Sequence, residues 1–255
     1  MNILVEYINY RFKAKGRHGV HSPFVYTFIN ECLSTKIDKN FKNSLKNLFK
    51  NLKNDNSIIE ILDFGVGSKK LGSTRKISKI FATSSSKGKY GDLLYKLSYY
   101  YKPQSILELG TSLGIGTIHF SFGNPESKIT TVDACKNTSN TAIKNFNTLK
   151  IKNILQIQST FTNYINSISN EKFDVIFIDG HHDGKALKNY IQQLMSFSHN
   201  DTIFILDDIR WSKSMFEAWD ELIKNKEFHL TIDLFRMGII MKRIQQEKEH
   251  FILKI

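Results

Sequence analysis

The stretch from Ser105 to Asp133, SILELGTSLGIGTIHFSFGNPESKITTVD, decides how the chain folds. Ser105-Ile106-Leu107-Glu108-Leu109 is a short, nearly continuous apolar run, the pattern of a strand buried on both faces of a parallel sheet. Gly110, Gly114 and Gly116 follow, and such residues let a backbone turn tightly and come close to a ligand. Ile115 to Phe122 is predicted to be a helix leaving that turn, and Gly123-Asn124-Pro125 breaks it. Lys128 to Val132 reads as a second strand that ends at Asp133. Strand, glycine turn, helix and strand, with an acid in each strand's closing turn, make a βαβ unit of the nucleotide-binding kind.

The spacing narrows the ligand. A dinucleotide fold carries G-x-G-x-x-G, which brings a helix N-terminus to a pyrophosphate. Here the pattern is Glu108-x-Gly110-x-x-x-Gly114-x-Gly116. A carboxylate before the first glycine repels a pyrophosphate and suits a cationic amino group, while Asp133 can accept from both hydroxyls of a ribose. An amino acid joined to an adenosine satisfies both ends. The motif resembles the first motif, E/D-x-G-x-x-x-G, of the class I S-adenosylmethionine-dependent methyltransferases. That resemblance implies a cofactor site formed by Glu108, Gly110, Thr111, Ser112, Gly114 and Asp133.

At 255 residues the chain can bury a sizeable core, and 41% hydrophobic with 24% charged residues is a globular composition. No apolar run is long enough to span a bilayer, and no secretory leader pattern is present, so a cytoplasmic location without a membrane partner is expected. Cys32 and Cys135 make neither a disulfide framework nor a zinc pattern and read as free thiols. The net charge of +12 is concentrated early: Met1 to Tyr100 holds 18 Lys and Arg against 7 Asp and Glu. That asymmetry allows a nucleic-acid surface, but the lysines are scattered and read more simply as a solvated coat.

Residues 1–88 read as a helical or lid-like extension and 89–255 as the cofactor-binding domain. Ile3 to Lys15 has the spacing of an amphipathic helix packed on the main domain. His18 and His21, in a turn-rich loop, have no neighbouring ligand residues and read as ordinary loop histidines. Pro23 opens a helix through Ile29, and Asp38 to Asn56 reads as a Lys- and Asn-rich helix. A second glycine motif, Asp63 to Ser68, is not followed by a strand ending in an acid and reads as a flank or lid of the acceptor pocket.

In the second half, Ile154 to Ile157 reads as the third strand, with Thr160 and Phe161 beyond its carboxyl end, where ligands of open α/β sheets sit. Phe161 suits either an adenine contact or the core. Val175 to Ile178 is a buried strand that delivers Asp179, and Gly180 allows a turn that aims His181 and His182 at the same edge. Thr202 to Leu206 ends in Asp207-Asp208. Three carboxylates then meet at one edge, where burial requires a divalent cation, a cationic substrate or histidine partners. Arg210 is expected to pair with Asp207, and Trp211 to line the acceptor pocket. His229 to Phe235 and Gly238 to Met241 read as paired sixth and seventh strands joined through Arg236-Met237, while Arg243 to Ile255 is an amphipathic tail.

FIDGHH followed by LDDIRW resembles the catechol-type O-methyltransferases and the bacterial methyltransferases related to them. The resemblance covers about Lys89 to Arg243. It implies a Rossmann-like, mostly parallel seven-stranded sheet with helices on both faces and an antiparallel last strand. It also implies a cofactor-closing turn at Tyr90 and Gly91, and S-adenosylmethionine as methyl donor. By position, Asp179, Asp207 and Asp208 would hold Mg²⁺ or another divalent cation, although an aspartate at 208 replaces an amide. His182 stands where those enzymes place a lysine general base, and imidazole suits proton abstraction at neutral pH. Asp179 and His182 are thus the expected catalytic pair for O-methylation of a small molecule. An RNA methyltransferase using the basic first half and a non-catalytic binding module remain alternatives; Glu108 argues against a nicotinamide oxidoreductase.

Overall fold

The computed structural model describes residues 2–61, 73–83 and 86–255. The second glycine motif, Asp63 to Ser68, lies outside them. The N-terminal region contributes the helices α1 (Ile3–Lys13), α2 (Pro23–Thr27), α3 (Lys39–Asn54) and α4 (Ile77–Thr83). Pro23 takes the first turn of α2, and the Asp38 carboxylate caps α3 by accepting from the Phe41 amide at 2.8 Å. Phe41, Leu45, Leu48 and Leu52, three or four residues apart, form the buried stripe of α3. Strands β1 (Ile58–Ile61) and β2 (Ser73–Lys76) pair as a small antiparallel ribbon before α4.

From α5 (Lys89–Tyr101) onward, strand and helix alternate: β3 (Ser105–Leu109), α6 (Ile115–Gly123), β4 (Lys128–Asp133), α7 (Lys136–Thr148), β5 (Ile154–Gln158), α8 (Phe161–Ser167), β6 (Phe173–Ile178), α9 (Gly184–Leu194), β7 (Ser198–Leu206), α10 (Lys213–Lys224), β8 (Leu230–Leu234), β9 (Met237–Met241) and β10 (Glu249–Ile252). The sheet order is β10-β8-β9-β7-β6-β3-β4-β5, and β9 runs antiparallel to both its neighbours. Side chains alternate across it. Ile106, Val175, Phe177, Ile203 and Ile205 pack beneath α5 and the α2 region, whereas Leu107, Leu109, Ile176, Ile178, Phe204 and Leu206 pack against α9 and α10. This is the expected Rossmann-like α/β arrangement with helices on both faces.

The tail departs from the sequence reading. It forms an eighth strand, β10, parallel to β8, rather than a free amphipathic segment. Without it β8 would present an unpaired edge, and the tail covers that edge. Leu253 is fully buried just beyond β10, its carbonyl accepts from the Tyr10 hydroxyl, and the Lys15 amide donates to the Ile252 carbonyl at 2.8 Å. Helix α1 is held by Tyr10 and by Tyr7 packed on Phe235 at 5.0 Å, but Ile3, Leu4, Ile8 and Phe12 stay exposed. Its apolar residues therefore pack on the body of the protein only in part.

Candidate active site

Register sets the site. Leu109 pairs with Val132 and with Ile178, and Ile178 pairs with Leu206, so Gly110, Asp133, Asp179 and Asp207 all begin the turns beyond one row. Because β9 is antiparallel and Gly238 pairs with Leu206, its leading turn brings Arg236 to the same edge. That placement follows from strand direction rather than from any local motif.

Gly110, at φ +113°, lies so close to β6 that a Cβ would stand 2.0 Å from the Asp179 carbonyl oxygen. Gly114, at φ +78°, would push a Cβ into Phe146 at 2.4 Å. The turn is fastened to β4 by Asp133, whose Oδ2 accepts from the Ser112 amide and Oδ1 from the Cys135 amide, each at 2.8 Å. The Thr111 amide and the Thr138 hydroxyl stabilise the same carboxylate. Burial raises the Asp133 pKa against these stabilising amides.

Glu108 is 1% exposed. Its Oε2 accepts from the Thr131 hydroxyl at 2.6 Å and from the Thr117 hydroxyl, and Thr111 turns inward to Thr131 at 2.7 Å. Burial pushes the Glu108 carboxyl up to about 7, with Thr117 and Thr131 working in the opposite direction. Glu108 and Thr111 thus support the glycine turn from within. The interior setting supplies threonine hydroxyls to Glu108, not the open face that direct contact with a cationic amino group would need.

The Arg236 guanidinium lies between the two aspartates that follow β7. Nε donates to Asp207 Oδ1 at 2.9 Å, Nη2 pairs with Asp207 Oδ2 at 2.5 Å, and Nε stands 3.0 Å from Asp208 Oδ1. Burial alone would lower the arginine pKa, but Asp207 and Asp208 raise it. Asp179 accepts from the Ser86 hydroxyl at 3.3 Å, and burial followed by repulsion from Asp207 and Asp208 lifts its carboxyl well above the ordinary range. Asp208, at φ +52°, is raised for the same reasons.

Two sequence expectations fail here for identifiable reasons. Arg210 does not pair with Asp207; it turns to the other side and binds Asp233 with Nη1 at 2.9 Å and Nη2 at 2.6 Å, both residues being buried. His181, at φ +62°, does not face the carboxylates but stacks on Tyr190, with Phe161 at its edge. His182 does face them: Nδ1 lies 3.7 Å from Asp208 Oδ2, is shut off from solvent without a hydrogen-bond partner among the described residues, and its ring adjoins Trp211 at 5.6 Å.

The remaining candidates occupy supporting positions. Thr160 caps α8 by accepting from the Asn163 amide at 3.2 Å, and Phe161 packs under Gly180. Gly91 makes room for His119, whose ring would meet a Cβ at 2.6 Å. Tyr90 is buried, donates to the Leu234 carbonyl at 3.1 Å, and carries Arg236 over its ring at 5.6 Å. A cavity of about 380 Å³ opens beside these groups, lined by Ile3, Asp208, Arg210, Trp211, Phe235 and Arg236. Arg236 is the residue the sequence reading missed. Its signal was only that of an arginine in a turn before an antiparallel strand.

The turn suits a bound nucleoside: Gly110 and Gly114, both at positive φ, let the backbone fold tightly against β6 and Phe146, and the half-buried Asp133 ends β4 beside it. The acids fit a divalent cation poorly. Both Asp207 oxygens and one of Asp208 are engaged by Arg236, and among the described residues no group of three His, Cys, Asp or Glu side chains could hold a metal.

Residues 107–209 match the family model described as a methyltransferase domain. Comparison with curated proteins finds no match. Among solved structures, a putative caffeoyl-CoA O-methyltransferase from Staphylococcus aureus aligns with a TM-score of 0.57 at 17% identity, over 65% of this chain and 88% of that one. The O-methyltransferase from Bacillus cereus in complex with SAH aligns at 0.55 and 16%, over 86% and 96%. TomG from Streptomyces achromogenes, an O-methyltransferase of tomaymycin synthesis in complex with SAM, aligns at 0.58 and 11%, over 89% and 99%. Residues 107–209 are thus similar to a methyltransferase domain, and these solved structures share the fold of the chain. No helix of the described residues is long and apolar enough to cross a membrane.

Proposed function

We propose that the chain transfers a methyl group from S-adenosylmethionine to an oxygen of a small-molecule acceptor seated in the cavity beside Trp211 and Arg236. The observation that carries this reading is the Nδ1 of His182, buried and without a hydrogen-bond partner among the described residues, 3.7 Å from Asp208, which itself lines that cavity. A buried polar atom without a partner is costly, and an acceptor hydroxyl relieves it by donating to Nδ1. When bound, S-adenosylmethionine supplies a sulfonium methyl group.

In this reading Asp133 accepts from the ribose hydroxyls and the Gly110 turn admits the nucleoside. Asp179, beside Gly110 and Ser86, faces the amino-acid end. His182 Nδ1 would take the acceptor proton as the acceptor oxygen gains the methyl group, with the sulfonium donor released as a thioether. The Asp208 carboxylate, 3.7 Å from Nδ1, favours the imidazolium that results. Ile3, Trp211 and Phe235 on the cavity walls offer apolar surface that aligns the acceptor. No step requires a metal ion.

Methyl-labelled S-adenosylmethionine, incubated with the protein and fractionated cell extract, tests the proposal. Label should enter the low-molecular-mass fraction as an ether or ester, and His182→Ala should lower the rate by about 100-fold or more. Label confined to the RNA fraction would instead favour a nucleic-acid acceptor bound by the basic first half.

A further inference from the structure

Resting on the transferase reading, we propose that Arg236 is a built-in cation that does at this site what a divalent metal would do: it neutralises the two aspartates after β7 and holds the acceptor oxygen. The geometry is specific. Asp207 is fully buried in its side chain and gives both oxygens to the guanidinium, and Asp208 gives one. A metal entering there would have to displace a bidentate, charge-assisted pair, among the strongest hydrogen-bonded contacts a protein makes.

The arginine is also held from behind. Its amide donates to the Tyr90 hydroxyl at 3.3 Å, its guanidinium lies over the Tyr90 ring, and its carbonyl accepts from the Ile209 amide at 3.0 Å. These contacts tie the turn before β9 to the loop carrying Asp207 and Asp208. Nε and Nη2 are used by the aspartates, while Nη1 makes no hydrogen bond among the described residues and the side chain is 29% exposed on the cavity wall. Nη1 is therefore the donor left for the acceptor. It steadies negative charge gathering on the acceptor oxygen as the proton passes to His182, an electrostatic contribution of the oxyanion-hole type. The acceptor so recognised has an apolar body and needs only one oxygen at the reacting end, since a lone N–H replaces a chelating ion.

The test measures Mn²⁺ binding to the full-length protein by the electron paramagnetic resonance of the free ion, with S-adenosylmethionine calorimetry run in parallel. Wild type and Arg236→Lys should bind no Mn²⁺ at concentrations up to about 1 mM, where even weak oxygen sites fill. Arg236→Met should take up one ion, because the three uncompensated carboxylates then attract it, and adding Asp208→Asn should abolish that uptake. If Arg236→Met does not fold, Arg236→Gln removes the same charge and carries the same expectation. Wild-type protein that binds one Mn²⁺ lost in Asp208→Asn would overturn the proposal. So would a folded charge-removed variant that binds none. Calorimetry reports separately on the transferase reading, since S-adenosylmethionine affinity rests on Asp133 and the glycine turn.

Discussion

Acids of similar appearance in sequence take different work at the edge of this sheet. Glu108 and Asp133 secure the glycine turn, Asp207 binds the arginine, Asp208 stands between that arginine and His182, and Asp179 is half-buried beside Ser86. Glu108 makes the sharpest residue-scale prediction. Its folded pKa of about 7 lies above its ordinary value of 4.5, so the folded state holds the proton more tightly than the unfolded one. Its contribution to stability is then greatest below pH 4.5, falls as pH rises to about 7, and is lowest above that, by on the order of 3 kcal/mol. Urea unfolding across this window should show that decline in wild type and a weaker one in Glu108→Gln. At Gly110, alanine must place a Cβ against the Asp179 carbonyl, so Gly110→Ala should weaken S-adenosylmethionine binding by about tenfold or more through displacement of the turn. The acids and glycines were legible in the sequence because they stand in or directly after apolar strands. Their partners were not. Arg210 is two residues from Asp208 yet pairs with Asp233, and Arg236 is nearly thirty residues from the acids it neutralises, because partner choice depends on side-chain direction, which spacing does not encode.

Strand periodicity is what made the elements readable. Runs such as Val175 to Ile178 and Thr202 to Leu206 are apolar at successive positions because both sheet faces are covered, and the structure places them as adjacent parallel strands. The polar C-terminal segment gave no such signal. It becomes a strand only because β8 offers an edge and α1 supplies the Tyr10 hydroxyl, a tertiary requirement invisible in its own residues. Removing residues after Lys248 should therefore lower the melting temperature by about 5 °C or more and expose β8 to self-association, seen by scanning calorimetry and light scattering. The Arg210–Asp233 pair, which also receives the Trp219 indole N–H at 3.3 Å, fastens the loop after β7 to β8. Arg210→Met should cost about 3–5 kcal/mol in urea unfolding, because Asp233 is left charged and buried.

Across the whole molecule, the sheet gathers the acids and Arg236 at one edge while the N-terminal helices complete the core and line the cavity beside Trp211. Val25 and Phe28 join Leu93 and Leu97 under the sheet, and Ile3 of α1 lines the cavity beside Trp211 and Arg236. The central claim is that this edge binds S-adenosylmethionine through the Gly110 turn and Asp133. Isothermal calorimetry of the full-length protein with S-adenosylmethionine, with NAD as control, tests it most directly. The account predicts one site, an affinity lowered about tenfold or more by Asp133→Ala but little changed by His182→Ala, and no heat with NAD. Absence of S-adenosylmethionine binding at about 1 mM, or binding indifferent to Asp133, would contradict it.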